Sequence, residues 1–413
     1  MLGIFLSTAV LIMLALLATS APLYRLRRSR PMLSLLSGGW LWLAAGVAVG
    51  PFGAGLVSED ALVAVRPFTV ILLGWIGCMV GLQVRPALLE VLTRDARRTI
   101  VFDVVSSLVL TSAAAWLLIE WWTGGASPSV IAQASLVLAA GACGWSSEGR
   151  SVGLAGGAPG AGRARRVLAL GGLVGVLAVA IAGVGTGFGD GPYGKAGAWI
   201  GSAWAVGVSL VVGVCAATVG RVALRSIPGT GGAGLVVFIG VLATAAGLSA
   251  QLGVMPMLAT LICGIFIANT GGKDARAYER FILKSEHLIA ALFGIVAGVS
   301  LSLAIGVGGV ALACALVGVR VAIKPIVVHE AWRFEDREEA RRGVARTGLA
   351  VGAIRPSSLA LALVLGLAIA KPSDLHNQLI GVVALAGLLC EVLSIVSASL
   401  LLRERARGAE GAP

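Results

Sequence analysis

Four basic residues stand in or beside long apolar runs, where a charge needs a reason to be: Arg150, Arg320, Lys324 and Arg355. Even the lower estimates put such a residue at about 2.5–3.5 kcal/mol at the centre of a bilayer. Arg320 and Lys324 are four residues apart and share a helix face. The acids that could answer them are few: Glu148, Glu391 near the middle of the last apolar run, and Asp103 low in another. Ser146, Ser147, Ser357 and Ser358 flank the two arginines that interrupt their runs. Three chemistries fit such a set. A carboxylate can hold a metal cation or a proton in turn, cations at helix breaks can meet an anionic solute, or the charges can be fixed salt bridges.

The chain around them is built for lipid. Of its 413 residues 58% are hydrophobic and only 13% charged, mean hydropathy is +0.95, and 58 are glycine. Soluble domains run near 25% charged, so a water-facing surface cannot be covered. Disorder, a secreted disulfide scaffold and a nucleic-acid binder are excluded as well. The net charge of +12 belongs to cytoplasmic loops rather than to nucleic acid. Apolar stretches of about 20 residues predict thirteen transmembrane helices: roughly 2–23, 33–51, 62–83, 99–119, 130–156, 167–188, 197–219, 233–249, 252–270, 286–302, 304–328, 347–370 and 377–402. The eighth and ninth are parted only by Ser249-Ala250-Gln251.

Charge sets the orientation. The odd-numbered loops and the tail hold nearly all the basic residues outside the spans, from Arg25–Arg30 through Arg333–Arg346 to Arg403–Arg407, against Arg66, Lys195 and Lys371 on the other side. The chain therefore reads as multi-pass in the plasma (inner) membrane, N-terminus outside and C-terminus cytoplasmic. The first span has its charges after the apolar run, so it reads as a retained helix rather than a signal peptide. Residues 1–402 form one transmembrane domain and 403–413 a short tail. Cys78, Cys143, Cys215, Cys263, Cys314 and Cys390 all fall in spans without a CxxC or a His cluster, and read as packing residues with no metal and no cofactor.

Two spans are interrupted. The fifth contains Gly141-Ala142-Cys143-Gly144-Trp145-Ser146-Ser147-Glu148-Gly149-Arg150, and the twelfth Gly352-Ala353-Ile354-Arg355-Pro356-Ser357-Ser358. Broken backbone at that depth is tolerated where it lines a polar cavity or is buried in protein. The breaks lie seven spans apart, an odd number, so the halves are inverted relative to each other. Paired broken helices in inverted halves point to a secondary transporter with a midplane site.

At these residues the sequence resembles the cation:proton antiporter (sodium/hydrogen exchanger) family. Gly50-Pro51-Phe52-Gly53-Ala54-Gly55-Leu56 resembles that family's GP-x-G-x-G-L helix end, and Leu73-Gly74-Trp75 through Gly81-Leu82 its next helix. Gly247-Leu248-Ser249 through Ala268-Asn269 is similar to a later stretch, and 286–300 to the helix after it. The resemblance implies an all-α polytopic fold with an inverted repeat and two crossed broken helices. It implies a core (about 99–188 and 304–402) against a panel that usually forms a homodimer, and exchange of monovalent ions for protons by alternating access. It also implies one or two aspartates on the sixth span. Here Val174 and Gly175 stand at those positions, and Ser357-Ser358 stands where the family often has Gly-Glu. The family's eleventh-span basic residue is matched by Arg320.

The first expectation is thus monovalent cation/proton antiport with a rearranged site, Glu148 replacing the missing aspartate and pairing with Arg320 or Arg150. Beside it stand a carrier of an anionic solute and a non-transporting scaffold or sensor of antiporter fold. Enzyme chemistry finds no support: the serine pairs have no triad histidine, and the glycine run from Gly153 to Gly162 lacks a Walker lysine. His287, His329 and His376 lie near span ends and read as solvated or interfacial residues; 332–346 reads as an exposed, salt-bridged cytoplasmic helix.

Overall fold

A computed structural model describes residues 39–57, 59–84, 94–144, 161–188, 197–226, 232–270, 285–301, 305–333 and 357–410, with Met13, Ile282 and Ile354 singly. The first predicted span and most of 332–346 lie outside the described residues. Within them are twelve α-helices: α1 Gly39–Val49, α2 Glu59–Leu82, α3 Arg94–Thr123, α4 Pro128–Cys143, α5 Ala161–Gly185, α6 Ala198–Ser226, α7 Gly232–Gln251, α8 Pro256–Thr270, α9 Glu286–Val299, α10 Gly306–Arg333, α11 Ser358–Ala370 and α12 Asp374–Glu410. Each overlaps one predicted span, from the second to the thirteenth. The chain is an all-helical, multi-pass membrane protein. Six helices, α2, α3, α5, α6, α10 and α12, are long and apolar enough to cross a bilayer unaided.

The narrowest division, between the eighth and ninth spans, falls slightly later than Ser249–Gln251. Helix α7 runs to Gln251, Gly253 turns the chain at φ +68°, and α8 starts at Pro256. That left-handed backbone suits glycine, and proline suits a first turn whose N–H has no partner.

Glycine decides how the helices pair. Helix α1 packs on α9, and α8 on α2. A Cβ on Gly46 would strike the Ile295 carbonyl, and one on Gly298 the Leu43 carbonyl. In the other pair a Cβ on Gly81 would strike Leu261 O, and one on Gly264 would strike Cys78 O. Without hydrophobic drive between helices in lipid, such close backbone approach supplies the attraction. Second with tenth and ninth with third is the pairing that two halves offset by seven spans produce.

The interrupted spans become short helices, α4 with 16 residues and α11 with 13. At about 1.5 Å per residue neither reaches across the roughly 30 Å apolar layer. Helix α4 stops because Gly144 turns to φ −57°, ψ 135°. Helix α11 starts because Ser357 is extended and its Oγ accepts the Leu359 N–H at 3.1 Å. The two short helices pack together, with α3 and α5 against α4, α12 against α11, and α10 bridging α3 and α12.

Candidate functional site

The C-terminal end of a helix presents carbonyls without intrahelical partners and the negative end of its dipole. In α4 that end is inside the molecule, and α10 supplies the cations that answer it. Arg320 is 5% exposed. It donates through Nη1 to Ala142 O at 2.8 Å, through Nη2 to Gly144 O at 2.8 Å, and through Nε to Ile354 O at 2.7 Å. One planar guanidinium therefore ties the end of the first broken span to the break of the second. Its fork of donors suits three fixed acceptors as a lysine would not.

One turn along, Lys324 is 1% exposed and donates to Cys143 O at 3.0 Å. Its Nζ also lies 2.7 Å from Asp103 Oδ1, forming a buried ion pair between α10 and α3. Asp103 is likewise 1% exposed, and its Oδ1 accepts the Ser107 hydroxyl at 3.2 Å. Removing two charges from water costs several kcal/mol per ion, returned only with good geometry and extra hydrogen bonds. The Ser107 hydroxyl and the Cys143 carbonyl are those extra bonds.

The two broken ends meet directly. A Cβ on Gly141 would sit 3.1 Å from Ala360 Cα, and one on Gly144 3.3 Å from Ser357 Cβ. Beside this crossing is a cavity of about 50 Å³ walled by Trp40, Gly141, Ala142, Arg320, Ala360, Gly387 and Cys390 among others. Its wall is mostly apolar, and Arg320 is the charged residue on it.

Of the residues expected at the site, the structure brings Arg320, Lys324 and Ser357 together at the end of α4, with Ser358 the first residue of α11. Glu391, 8% exposed on α12, follows the cavity-lining Cys390. Ser146, Ser147, Glu148, Arg150 and Arg355 lie outside the described residues, and so does the expected pairing of Glu148 with Arg320 or Arg150. Val174 and Gly175, where the resemblance leads one to expect aspartates, have apolar surroundings. Val174 is 2% exposed, and a Cβ on Gly175 would rest on Val80 and Leu359 at 3.6 and 3.7 Å.

Among the described residues the acid that meets Lys324 is Asp103, low in its span. The signal that finds it is a stripe on α3: Thr99, Asp103, Ser107 and Thr111 recur every four residues in an apolar helix, and all four are buried. A second expectation is corrected at His376. It is 2% exposed rather than solvated, its ring Nδ1–H donating to Lys371 O at 2.6 Å while its backbone N–H donates to Ser373 Oγ. Those two bonds turn the histidine inward at the start of α12. Among the described residues no three His, Cys, Asp or Glu side chains gather as a metal set.

No family model matches the chain, and no curated protein matches it in sequence. Among solved structures, it is similar to the sodium proton antiporter MjNhaP1 from Methanocaldococcus jannaschii at pH 8. The TM-score is 0.63 at 14% identity, covering 97% of this chain and 98% of that one. An electron-microscopy map of the same antiporter gives a TM-score of 0.49 at 15% identity, over 88% of this chain and 90% of that one. At such identity the likeness is one of fold: the chain has the architecture of a sodium/proton antiporter.

Proposed function

We propose that this chain, built on the fold of a sodium/proton antiporter, exchanges a monovalent cation for a proton by alternating access, with Asp103 and Lys324 doing the work of the missing aspartates. The observation that carries this reading is the buried Lys324–Asp103 pair at the crossing of the broken helices. A small cation that reaches Asp103 competes with the ammonium for the same carboxylate. An ammonium stripped of its counter-charge in a low-dielectric interior is neutralised rather than kept charged. One cation bound at Asp103 then releases one proton from Lys324, and the reverse exchange on the other face restores the pair. Arg320 stays charged throughout and holds the broken ends in register. In this reading the helices α3, α4, α5, α10, α11 and α12 move as a core against the others, and the protein works as a homodimer in the plasma membrane.

Apolar packing around Val174 and Gly175 favours a second reading, a scaffold or sensor that keeps the fold and the Lys324–Asp103 pair as a fixed strut. Proton flux in everted membrane vesicles separates the two. With a pH gradient imposed and Na⁺, Li⁺ or K⁺ added in turn, wild type collapses the gradient, and Asp103→Asn does not although it is folded and inserted. Loss in Glu148→Gln with Asp103→Asn unaffected moves the carrier to Glu148. No response of folded wild type to any cation leaves the scaffold.

A further inference from the structure

A second concavity lies away from the crossing, between α2 and α7 at the end of α11. It encloses about 420 Å³ and is lined by one stripe of each long helix: Val63, Arg66, Pro67, Val70 and Ile71 on α2, and Ala243, Gly247, Ala250 and Gln251 on α7, with Ile369 at its mouth. That volume is in the range of small-ligand sites, about 300–1,000 Å³. Its polarity is graded along the helices. Gln251 ends α7 and Arg66 lies about one turn inside Val63 near the start of α2, while Val70, Ile71 and Ala243 lie toward the middle. From Val63 to Ile71 the stripe is about 12 Å long at 1.5 Å per residue.

Two features mark the polar end. Arg66 is exposed within an apolar helix, and its one hydrogen bond among the described residues is a long contact of 3.4 Å from Nη2 to Ile369 O. Pro67 has no N–H to give the Val63 carbonyl one turn before it. The apolar part is unfilled because it is lined by small residues: a Cβ on Gly247 would meet nothing within 4 Å.

We infer that this groove is a binding site for one glycerophospholipid with an anionic headgroup, the phosphate on Arg66 and an acyl chain along the α2–α7 stripe. A guanidinium is the side chain that pairs phosphate through two parallel bonds, and its position near the helix end matches the depth of a headgroup while the apolar stripe matches the depth of a chain. A dissolved anion would use the arginine and leave the apolar stripe empty. A headgroup hydroxyl would in addition supply the donor that Pro67 withholds from Val63.

Native mass spectrometry of the full chain, released from nanodiscs of mixed phosphatidylglycerol and phosphatidylcholine, tests this. Wild type retains a phosphatidylglycerol adduct in at least fivefold preference. Arg66→Gln loses that preference, Arg66→Lys keeps part of it, and Gly247→Leu loses the adduct altogether while its melting temperature in detergent stays close to wild type. Equal retention of the two lipids by wild type overturns the inference, and so does an adduct that survives both Arg66→Gln and Gly247→Leu. Sodium phosphate that raises the melting temperature as far as phosphatidylglycerol does overturns it in favour of a water-filled anion site. Because the readout is bound lipid, failure here leaves the transport reading untouched.

Discussion

Two kinds of helix crossing hold this molecule together, and they solve opposite problems. Where α1 meets α9 and α2 meets α8, the obstacle is size, and glycine on both partners removes it: Gly46 with Gly298, Gly81 with Gly264. Where α4 meets α11 and α10, the obstacle is charge. Carbonyls freed by a broken helix lie beside two buried cations and one carboxylate, and each cancels part of another. A crossing built on size has one state, because backbone packed on backbone has nowhere to go. A crossing built on compensating charges can rearrange whenever an ion of the right sign arrives. The proposed exchange uses the second kind, and the first kind holds the frame around it.

The comparison breaks most readily at the first kind. Gly81→Leu would drive a side chain into the Leu261 carbonyl and the neighbouring backbone of α8, and the expected outcome is loss of folded, monodisperse protein in detergent chromatography. A folded Gly81→Leu would mean that the α2–α8 crossing has slack it does not show. Next in size is Lys324→Met. It leaves Asp103 buried without its ammonium, and removing one partner of a buried pair typically costs about 3–5 kcal/mol. Equilibrium unfolding followed by the fluorescence of the ten tryptophans would read that cost. Adding Asp103→Asn should recover most of the lost stability without recovering cation-driven proton flux. Recovery of both would assign the pair to structure alone.

Smaller effects sharpen the picture. Ser357→Ala removes the N-cap of α11 and should cost about 1 kcal/mol, seen as a modest drop in unfolding midpoint with the fold intact. At Gly207 on α6 a Cβ would meet nothing within 4 Å, so Gly207→Ala is expected to be silent or to stabilise by up to about 1 kcal/mol through helix propensity. A large loss at Gly207 would reveal a partner surface on α6, whose Trp199, Trp204, Leu210 and Val211 are also exposed.

Much of this was legible in the residues. The apolar runs located every described helix, because a bilayer demands about 20 apolar residues whatever they pack against. The breaks at Gly144 and Ser357 could be read for the same reason, since glycine and hydroxyl residues interrupt a run that is otherwise continuous. Arg320 and Lys324 stood out because a cation in an apolar span is rare. The absence of an acid at Val174 and Gly175 was equally visible. It did not say which acid meets the cations. Glu148 drew notice because it sits in a break, and Asp103 drew little because it lies near the start of a span.

What the sequence determined by itself was whatever depends on distance along one helix: where spans begin, where they stop, which residues share a face, and which charges had to be answered. What only the tertiary structure decided was which group answers which. Lys324 and Asp103 are 221 residues apart, and Arg320 reaches a carbonyl 178 residues away at Ala142. Glycine placement on four other helices, with no chemistry of its own, sets the frame in which those atoms meet. Periodicity records the direction a side chain takes from its own axis, and it holds no record of the second axis that direction will encounter.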